Sequence, residues 1–330
     1  MCAIIGVVGK VLPSQAQFQK ARDIMEHRGP DDAGIYYDDT SQVALGHRRL
    51  SIIDLSPLGK QPFWSNDGRF TIIFNGEIYN YLEIKKEIGN RYTFSTNTDT
   101  EVLLAAYSLW GKDCLTKFNG MFAFAIWDVQ KKVLFCARDR IGEKPFFYSF
   151  ENKVFSFASE IKALLSLSGK RPANEGVIFD YLYYGMYDHT VETFFSGIQR
   201  LPAGHYAFVE NGLLTIKKYW SLEGLENKNA DISTADTHDQ FKSLLSDSIR
   251  LRFRSDVPVG IDLSSGLDSN SLLFFGEAIT KKSIDTFSLC LPSKEYNECE
   301  LIKEYLNKEQ VKKWHTIEIS PEKSFSLCFH

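Results

Sequence analysis

The chain has 330 residues, with 38 Lys or Arg against 42 Asp or Glu and a formal net charge of -4. Its 44% hydrophobic, 14% aromatic and 24% charged residues describe a globular protein of about two domains, and exclude a chain that is disordered, collagenous or coiled-coil as a whole. The near-balanced charge argues against a dedicated nucleic-acid binder, no apolar run reaches the roughly 18–20 residues of a membrane span, and the start carries no basic, apolar secretion signal, so a cytoplasmic protein is expected.

Residues 1–210 are dense in short apolar runs. Phe70–Phe74 reads as a strand ending in a turn at Asn75-Gly76. Thr98-Asp99-Thr100-Glu101 has capping-box spacing, and Val102, Leu103, Ala105, Ala106 and Leu109 continue it as a helix that Gly111 stops. Met121–Asp128 and Val133–Arg138 read as two strands, and Phe146–Phe150 with Val154–Ala158 as a hairpin. Many strands and few helices predict stacked sheets flanked by helices. A polar run at 221–237 marks the boundary, so a first domain is placed at 2–210, a linker at 211–236 and a second domain at 237–330. In the second, His238–Arg254 is an amphipathic helix with Phe241, Leu244, Leu245, Ile249 and Phe253 inward. Strands at Val257–Leu263, Ile284–Leu291 and Trp314–Ile319 alternate with helices from about Leu267 and over Glu298–Asn307, the order of a parallel α/β sheet.

The six cysteines, at 2, 114, 136, 290, 299 and 328, have neither zinc nor CxxC spacing and read as reduced thiols. Cys2 stands out by position. A small side chain there permits removal of Met1, which leaves a terminal Cys that carries its own base. The α-amino group, with a pKa near about 8, can take the thiol proton directly or through a water. Attack of the thiolate on an amide then needs oxyanion stabilisation. A second-position cysteine taken alone reads first as a small buried residue leading into the strand Ala3, Ile4, Ile5, Val7, Val8.

Further elements favour the nucleophile. These are His47-Arg48-Arg49-Leu50-Ser51-Ile52-Ile53-Asp54, Phe74-Asn75-Gly76-Glu77-Ile78-Tyr79-Asn80 and Thr98-Asp99-Thr100-Glu101. With them the chain resembles the class II glutamine amidotransferase domain, an N-terminal-nucleophile hydrolase. His27-Arg28-Gly29-Pro30-Asp31, Gly120–Ala125, Arg138-Asp139-Arg140-Ile141-Gly142-Glu143-Lys144-Pro145, Phe157–Leu164 and Leu201-Pro202-Ala203-Gly204 narrow the resemblance to the glutamine-hydrolysing asparagine synthetase branch. It implies an α+β four-layer αββα sandwich with Cys2 as nucleophile. It also implies an oxyanion hole from the Asn75 amide and the Gly76 backbone N–H, and a glutamine site at Arg49, Leu50, Ser51, Ile52, Ile53, Asn75, Gly76, Glu77 and Asp99. The chemistry agrees. A guanidinium at Arg49 suits the α-carboxylate of glutamine, and Asp99 with Glu77 suits its α-ammonium. Asp139 and Arg140 read as an ion-paired turn, and His27, His47 and His205 as packing or loop residues.

In the second domain a strand runs through Gly260-Ile261-Asp262-Leu263 into Ser264-Ser265-Gly266-Leu267-Asp268-Ser269 at a helix start, where backbone N–H groups and hydroxyls suit an anion. No Lys follows, so it is not a GxxxxGK[ST] loop. It resembles the SGGxDS pyrophosphate loop of N-type ATP pyrophosphatases. That implies ATP at Leu263, Ser264, Ser265, Gly266, Asp268, Ser269 and Leu289, with Asp268 helping to hold Mg²⁺. Ser265 replaces the first loop glycine and Asn270 follows Ser269 where Ser is usual. A φ above zero at 265 would strain the serine by about 1 kcal/mol. The family continues beyond residue 330 with the residues that hold aspartate, so the second domain reads as truncated and ligase activity of this form as weak or absent.

The leading reading is an ATP- and glutamine-dependent asparagine synthetase. Ammonia released at Cys2 passes to a β-aspartyl-adenylate made from aspartate and ATP, giving asparagine, AMP and pyrophosphate. The alternatives are the same machinery with another carboxylate acceptor such as a sugar uronate, and a shortened homologue that keeps only glutaminase or nucleotide binding. No nucleic-acid or membrane partner is expected, and a homodimer is left open.

Overall fold

β1 (Ala3–Val8) turns Ile4 to one side and Ala3, Ile5 and Val7 to the other, and all four are buried. A strand buried on both faces needs a layer on each. The computed structural model, which describes residues 1–223, 234–291 and 297–318, supplies them. The chain divides into two units, Met1–Glu226 and Asn227–His330.

After β1 the first unit runs α1 (Gln15–Asp23), β2 (Asp32–Asp38), β3 (Val43–Arg49), β4 (Phe63–Trp64), β5 (Phe70–Ile78), α2 (Tyr81–Ile88), α3 (Asp99–Trp110) and β6 (Gly120–Asp128). It continues with β7 (Val133–Arg138), β8 (Phe147–Glu151), β9 (Val154–Ala158), α4 (Ile161–Ser168), α5 (Glu175–Tyr184), β10 (Gln199–Arg200), β11 (His205–Glu210) and β12 (Leu213–Lys218). Two six-stranded antiparallel sheets form, in the orders β10-β8-β9-β1-β3-β2 and β12-β11-β7-β6-β5-β4. Ile4, Val43, Leu45, Ile73, Ala125 and Trp127 fill the space between them. Ala3, Ile5 and Val7 pack outward on Phe18 and Ala21 of α1 and Leu164 of α4. Ile72 and Phe74 pack on Val102 and Leu103 of α3 and Ile84 of α2. The result is the four-layer αββα sandwich.

Strand alternation then aims the chemistry. Cys2 shares the parity of Ile4, His47 and Arg49 that of Val43 and Leu45, and Asn75 and Glu77 that of Ile73. All five therefore belong to inner faces of the two sheets.

The structure corrects several expectations. Asn75-Gly76 is no turn: β5 runs on through it, pairing Asn75 with Ala123 and Gly76 with Phe122. A Cβ on Gly76 would stand 2.1 Å from the Met121 carbonyl oxygen, so close approach of β6 is what requires glycine there. β12 lies inside the stretch expected to be linker and pairs with β11 along its whole length. At the start of α3, Thr98 accepts from the Glu101 N–H (3.1 Å), but the Glu101 carboxylate turns to Ser95 and Thr96 instead of closing the capping box.

The second unit has α6 (Thr234–Arg252), β13 (Ile261–Asp262), α7 (Leu267–Thr280), β14 (Thr286–Cys290), α8 (Cys299–Tyr305), α9 (Lys308–Lys312) and β15 (Trp314–Glu318). β13, β14 and β15 form the expected parallel sheet, on a core of Ile261, Leu263, Leu273, Ile284, Ile302 and Leu306. The strand expected over Val257–Leu263 is only two residues long. Along α6, Ile249 is buried, but Phe241 and Leu244 are exposed, against the inward face expected of them.

Cys290 and Cys299 are disulfide-bonded, which overturns the reading of all cysteines as reduced thiols. The end of β14 and the start of α8 bring their Cα atoms to 5.7 Å, a proximity that nine residues of spacing do not announce. Cys2, Cys114 and Cys136 are free, and Cys328 lies outside the described residues. Among the described residues no helix is long and apolar enough to cross a membrane.

Candidate active site

Cys2 sits at the foot of β1. Its Sγ donates to the Leu50 carbonyl (3.5 Å) and accepts from the Leu50 N–H (3.4 Å), which fixes the sulfur at the end of β3. Burial pushes the thiol above its ordinary range, while the Leu50 N–H and the positive chain start pull it down. The thiol faces a cavity of about 120 Å³ lined by Arg49, Leu50, Ile52, Ile53, Asn75, Gly76, Glu77 and Asp99 as well as Cys2. Of the sequence-derived glutamine set, only Ser51 is absent from this lining. Its N–H donates to Asp31 (2.8 Å).

Each lining side chain is placed by a local cause. Asn75 is fully buried, and neither its amide nitrogen nor its amide oxygen has a hydrogen-bond partner among the described residues. A buried carboxamide left unpaired inside a sheet is costly, about 1–3 kcal/mol, and points to a ligand that completes it. Arg49, at the end of β3, donates to the carbonyls of Ser56 (2.9 Å), Ile53 (3.4 Å) and Asp54. These bonds wrap the 53–59 turn around the guanidinium and leave two of its five N–H groups without a partner among the described residues. Gly59 permits this, because a Cβ there would lie 2.2 Å from an Arg49 nitrogen.

Asp99 opens α3 and accepts from the Ile78 N–H (2.9 Å). Burial, with Glu77 as a like charge, raises its pKa from 3.8 to about 7. The sign follows for the fold as well: the native state holds this proton more tightly than the unfolded chain. Stability from this group is therefore present below about pH 4 and is lost as pH rises through about 7. Glu77 is also pushed up by burial, and Lys144 opposes that shift.

Sequence reasoning missed several neighbours. Gln61 accepts from the Phe74 N–H (2.6 Å) and donates to Thr100 (3.2 Å), clamping β5 beside Asn75. The sequence marks His47 only as a packing residue. It is buried with Nε2 at 3.0 Å from the Phe74 carbonyl, and burial lowers its pKa to about 4, so the neutral ring donates at the peptide that leads into Asn75. Arg28 donates from Nε to the Cys2 carbonyl (3.1 Å). Lys144, Met121 and Met1 also line the cavity. The signal for His47 was its parity with Arg49. Arg28 ends a single 3-10 turn (Glu26–Arg28) and Lys144 comes from a loop, and neither gave a periodic signal.

In the second unit, Leu263, Ser264 and Leu289 line a separate cavity of about 600 Å³ with Asp262, Phe287, Ser288, Glu298, Ile302 and Ile317. Ser265, Gly266, Asp268 and Ser269 lie beside it in the turn and the first residues of α7, outside its lining. Ser264 and Ser269 hydroxyls bond each other (2.9 Å), and the Ser265 N–H donates to the Glu298 carboxylate (2.7 Å). A carboxylate thus already sits on one of the N–H groups that suit an anion. Ser265 has no positive φ, so the serine brings none of the strain expected of it. Asp268 is an exposed first-turn acid. Among the described residues no three His, Cys, Asp or Glu side chains stand together as a metal site. A single carboxylate fits Mg²⁺ only when phosphates supply further ligands.

The glutamine amidotransferase domain family matches residues 1–220, and the asparagine synthase family matches residues 240–328. Asparagine synthetase (glutamine-hydrolyzing) 3 of Bacillus subtilis (strain 168) is 37% identical over 281 residues, spanning 82% of this chain and 44% of its own length. Asparagine synthetase (glutamine-hydrolyzing) 1 of the same organism is 33% identical over 317 residues, spanning 92% of this chain and 48% of its own. The chain therefore spans about half the length of these curated relatives. A solved allosteric regulatory enzyme of purine biosynthesis shares the fold, with a TM-score of 0.50 at 14% identity, over 97% of this chain and 81% of that one. Matched from its first residue to residue 220, the chain belongs to the glutamine amidotransferase domain family, and a region matching asparagine synthase follows that domain.

Proposed function

We propose that Cys2, freed of Met1, hydrolyses glutamine to glutamate and ammonia as the first half of an ATP-dependent asparagine synthetase of the cytoplasm. The observation that carries this is the fully buried Asn75 amide, unpaired at both ends, in the same cavity as the Cys2 thiol. The Cys2 amine takes the thiol proton and the thiolate attacks the glutamine carboxamide. The developing oxyanion is met by the Asn75 amide N–H and the Gly76 N–H. Arg49 holds the α-carboxylate with its uncommitted N–H groups, and Asp99 with Glu77 holds the α-ammonium. Ammonia leaves, and water releases glutamate from the thioester.

In the second unit, Ser264, Ser265, Gly266 and Ser269 would hold the phosphates of ATP, and the backbone at Leu263 and Leu289 would border the adenine. Asp268 would contribute one ligand to Mg²⁺, which neutralises phosphate charge when bound. Aspartate is the proposed acceptor. The asparagine synthase match supports it over a uronate.

The test is covalent labelling with a thiol-directed glutamine analogue, read by intact and peptide mass. The expected product lacks Met1 and carries one adduct on Cys2. Retention of Met1 in an active protein, or an adduct on Cys114 or Cys136, would overturn the assignment. A second expectation concerns pH. Protonated Asp99 offers no charge to the substrate ammonium, so KM for glutamine should rise as pH falls through about 7. Steady-state KM from pH 6 to about 8.5 reads this directly, and a flat profile would remove Asp99 from ammonium binding.

A further inference from the structure

β4 is two residues long, and the sheet edge beyond it is completed by side chains. Phe63 pairs with Ile72 and Trp64 with Thr71, so the same register places Gln61 opposite Phe74, the residue before Asn75. The strand ends before that pair. Pro62 has no N–H to give, and the Gln61 carbonyl lies against β2 of the other sheet, where a Cβ on Gly34 would overlap its oxygen. The Gln61 carboxamide takes over. Its oxygen accepts from the Phe74 N–H (2.6 Å), and its nitrogen donates to the Thr100 hydroxyl (3.2 Å). Only the amide oxygen can meet an N–H, so the Phe74 bond fixes which way the carboxamide points. The Phe74 carbonyl is taken by His47 of β3 (3.0 Å). Gln61 and Thr100 are both buried and both line the Cys2 cavity with Asn75 and Asp99. One buried side chain thus ties the residue next to Asn75 to the residue next to Asp99. The bond from the Ile78 N–H to the Asp99 carboxylate is a second tie between β5 and α3.

We propose that Gln61 is a positioning residue that sets the length of substrate the site accepts: its carboxamide fixes the span between the Asn75 amide and the Asp99 carboxylate, and so selects glutamine over asparagine, which is one methylene shorter. This deepens the reading of Cys2, Asn75 and Asp99 as the glutamine site and rests on it. In that reading the substrate is held at both ends, its ammonium at the start of α3 and its carboxamide at β5. A ligand held at both ends is measured by the distance between its holders. A fixed span brings the glutamine carboxamide to the sulfur, whereas asparagine bound by its ammonium falls short of it. A misplacement of about 1 Å at the reacting atoms costs about 10²-fold in rate, and one methylene in a fitted site is worth about 10–200-fold. A buried carboxamide bonded at both ends suits a spacer, because it cannot shift without leaving the Phe74 N–H or Thr100 unmet. Gln61 gives and takes no proton in the reaction. Asparagine is also the product proposed for the whole enzyme, so a site that admitted it would hydrolyse what the second half makes.

The experiment measures how fast Cys2 of the full chain is labelled by the diazo-ketone analogues of glutamine and of asparagine, read by peptide mass. The variants are Gln61→Met, Thr100→Val and the two combined. Methionine removes both bonds while keeping the length of Gln61, and valine removes the Thr100 end alone while keeping its shape. The ratio of the two labelling rates cancels the fraction of folded protein, which is what a merely structural role would change. Each single variant is expected to lower the ratio of glutamine-length to asparagine-length labelling about ten-fold, and the combined variant no further, since both cut the same tie. An unchanged ratio in a folded variant overturns the inference, as do effects that add in the combined variant. A rise in KM for glutamine with the ratio kept also overturns it, because Gln61 would then be a direct substrate contact. If the glutamine analogue labels Cys2 of the parent and the ratio stays put in the variants, this inference alone fails. If the glutamine analogue leaves Cys2 of the parent unlabelled, the reading beneath it fails.

Discussion

Cys2→Ala is expected to reduce glutamine hydrolysis to background, a loss on the order of 10⁴-fold or more, without unfolding the protein. The asymmetry follows from where the sulfur sits. β1 is held by pairing with β3 and β9 and by the bond from the Ile4 N–H to Ser159 (3.0 Å), none of which involves the Cys2 side chain. Truncation removes only the two weak sulfur contacts with Leu50, at a cost of about 1 kcal/mol. Glutamate release and a thermal melt on the same preparation check this. Hydrolysis at the parent rate would end the assignment of Cys2, and loss of a cooperative melt would show that the sulfur is structural.

Asn75→Ala is expected to move activity and stability in opposite directions. Its amide is fully buried and has no partner among the described residues, so the fold carries an unmet desolvation cost that alanine would remove. The melting temperature should stay level or rise. The turnover number should fall about 10²–10³-fold with little change in KM, the scale expected when one of two oxyanion donors is lost. A turnover number within about ten-fold of the parent would remove Asn75 from the oxyanion hole. A large drop in stability would mean that the amide has partners in the native state and is part of the core.

The two results together would separate reading from packing, because the sequence supports both for the same residue. Asn-Gly is the strongest short turn signal, and it failed at Asn75-Gly76. The glycine is required by the approach of the β6 backbone, a contact made with residues 45 or more positions downstream that no local propensity encodes. The same limit explains the half-formed cap at Thr98. Glu101 has the right spacing to close it, but the 95–96 loop presents four competing donors. It also explains Cys290–Cys299, a pair created only when α8 docks beside β14.

What the sequence determined by itself was the class of each unit. The order of strands and helices assigned each unit its class, because it depends on periodicity within a segment, whereas Asn75 read as a turn residue and the inner-face alternation of Cys2, Arg49 and Asn75 emerged only with β1, β3 and β5 in place. What only the tertiary structure decided was who meets whom. The lack of a partner for Asn75 among the described residues, the Glu298 carboxylate on the Ser265 N–H and the placement of Lys144 in the Cys2 cavity lining are all set by contacts between segments distant in sequence. Such contacts depend on how the layers close, and a one-dimensional pattern carries no distance between its parts.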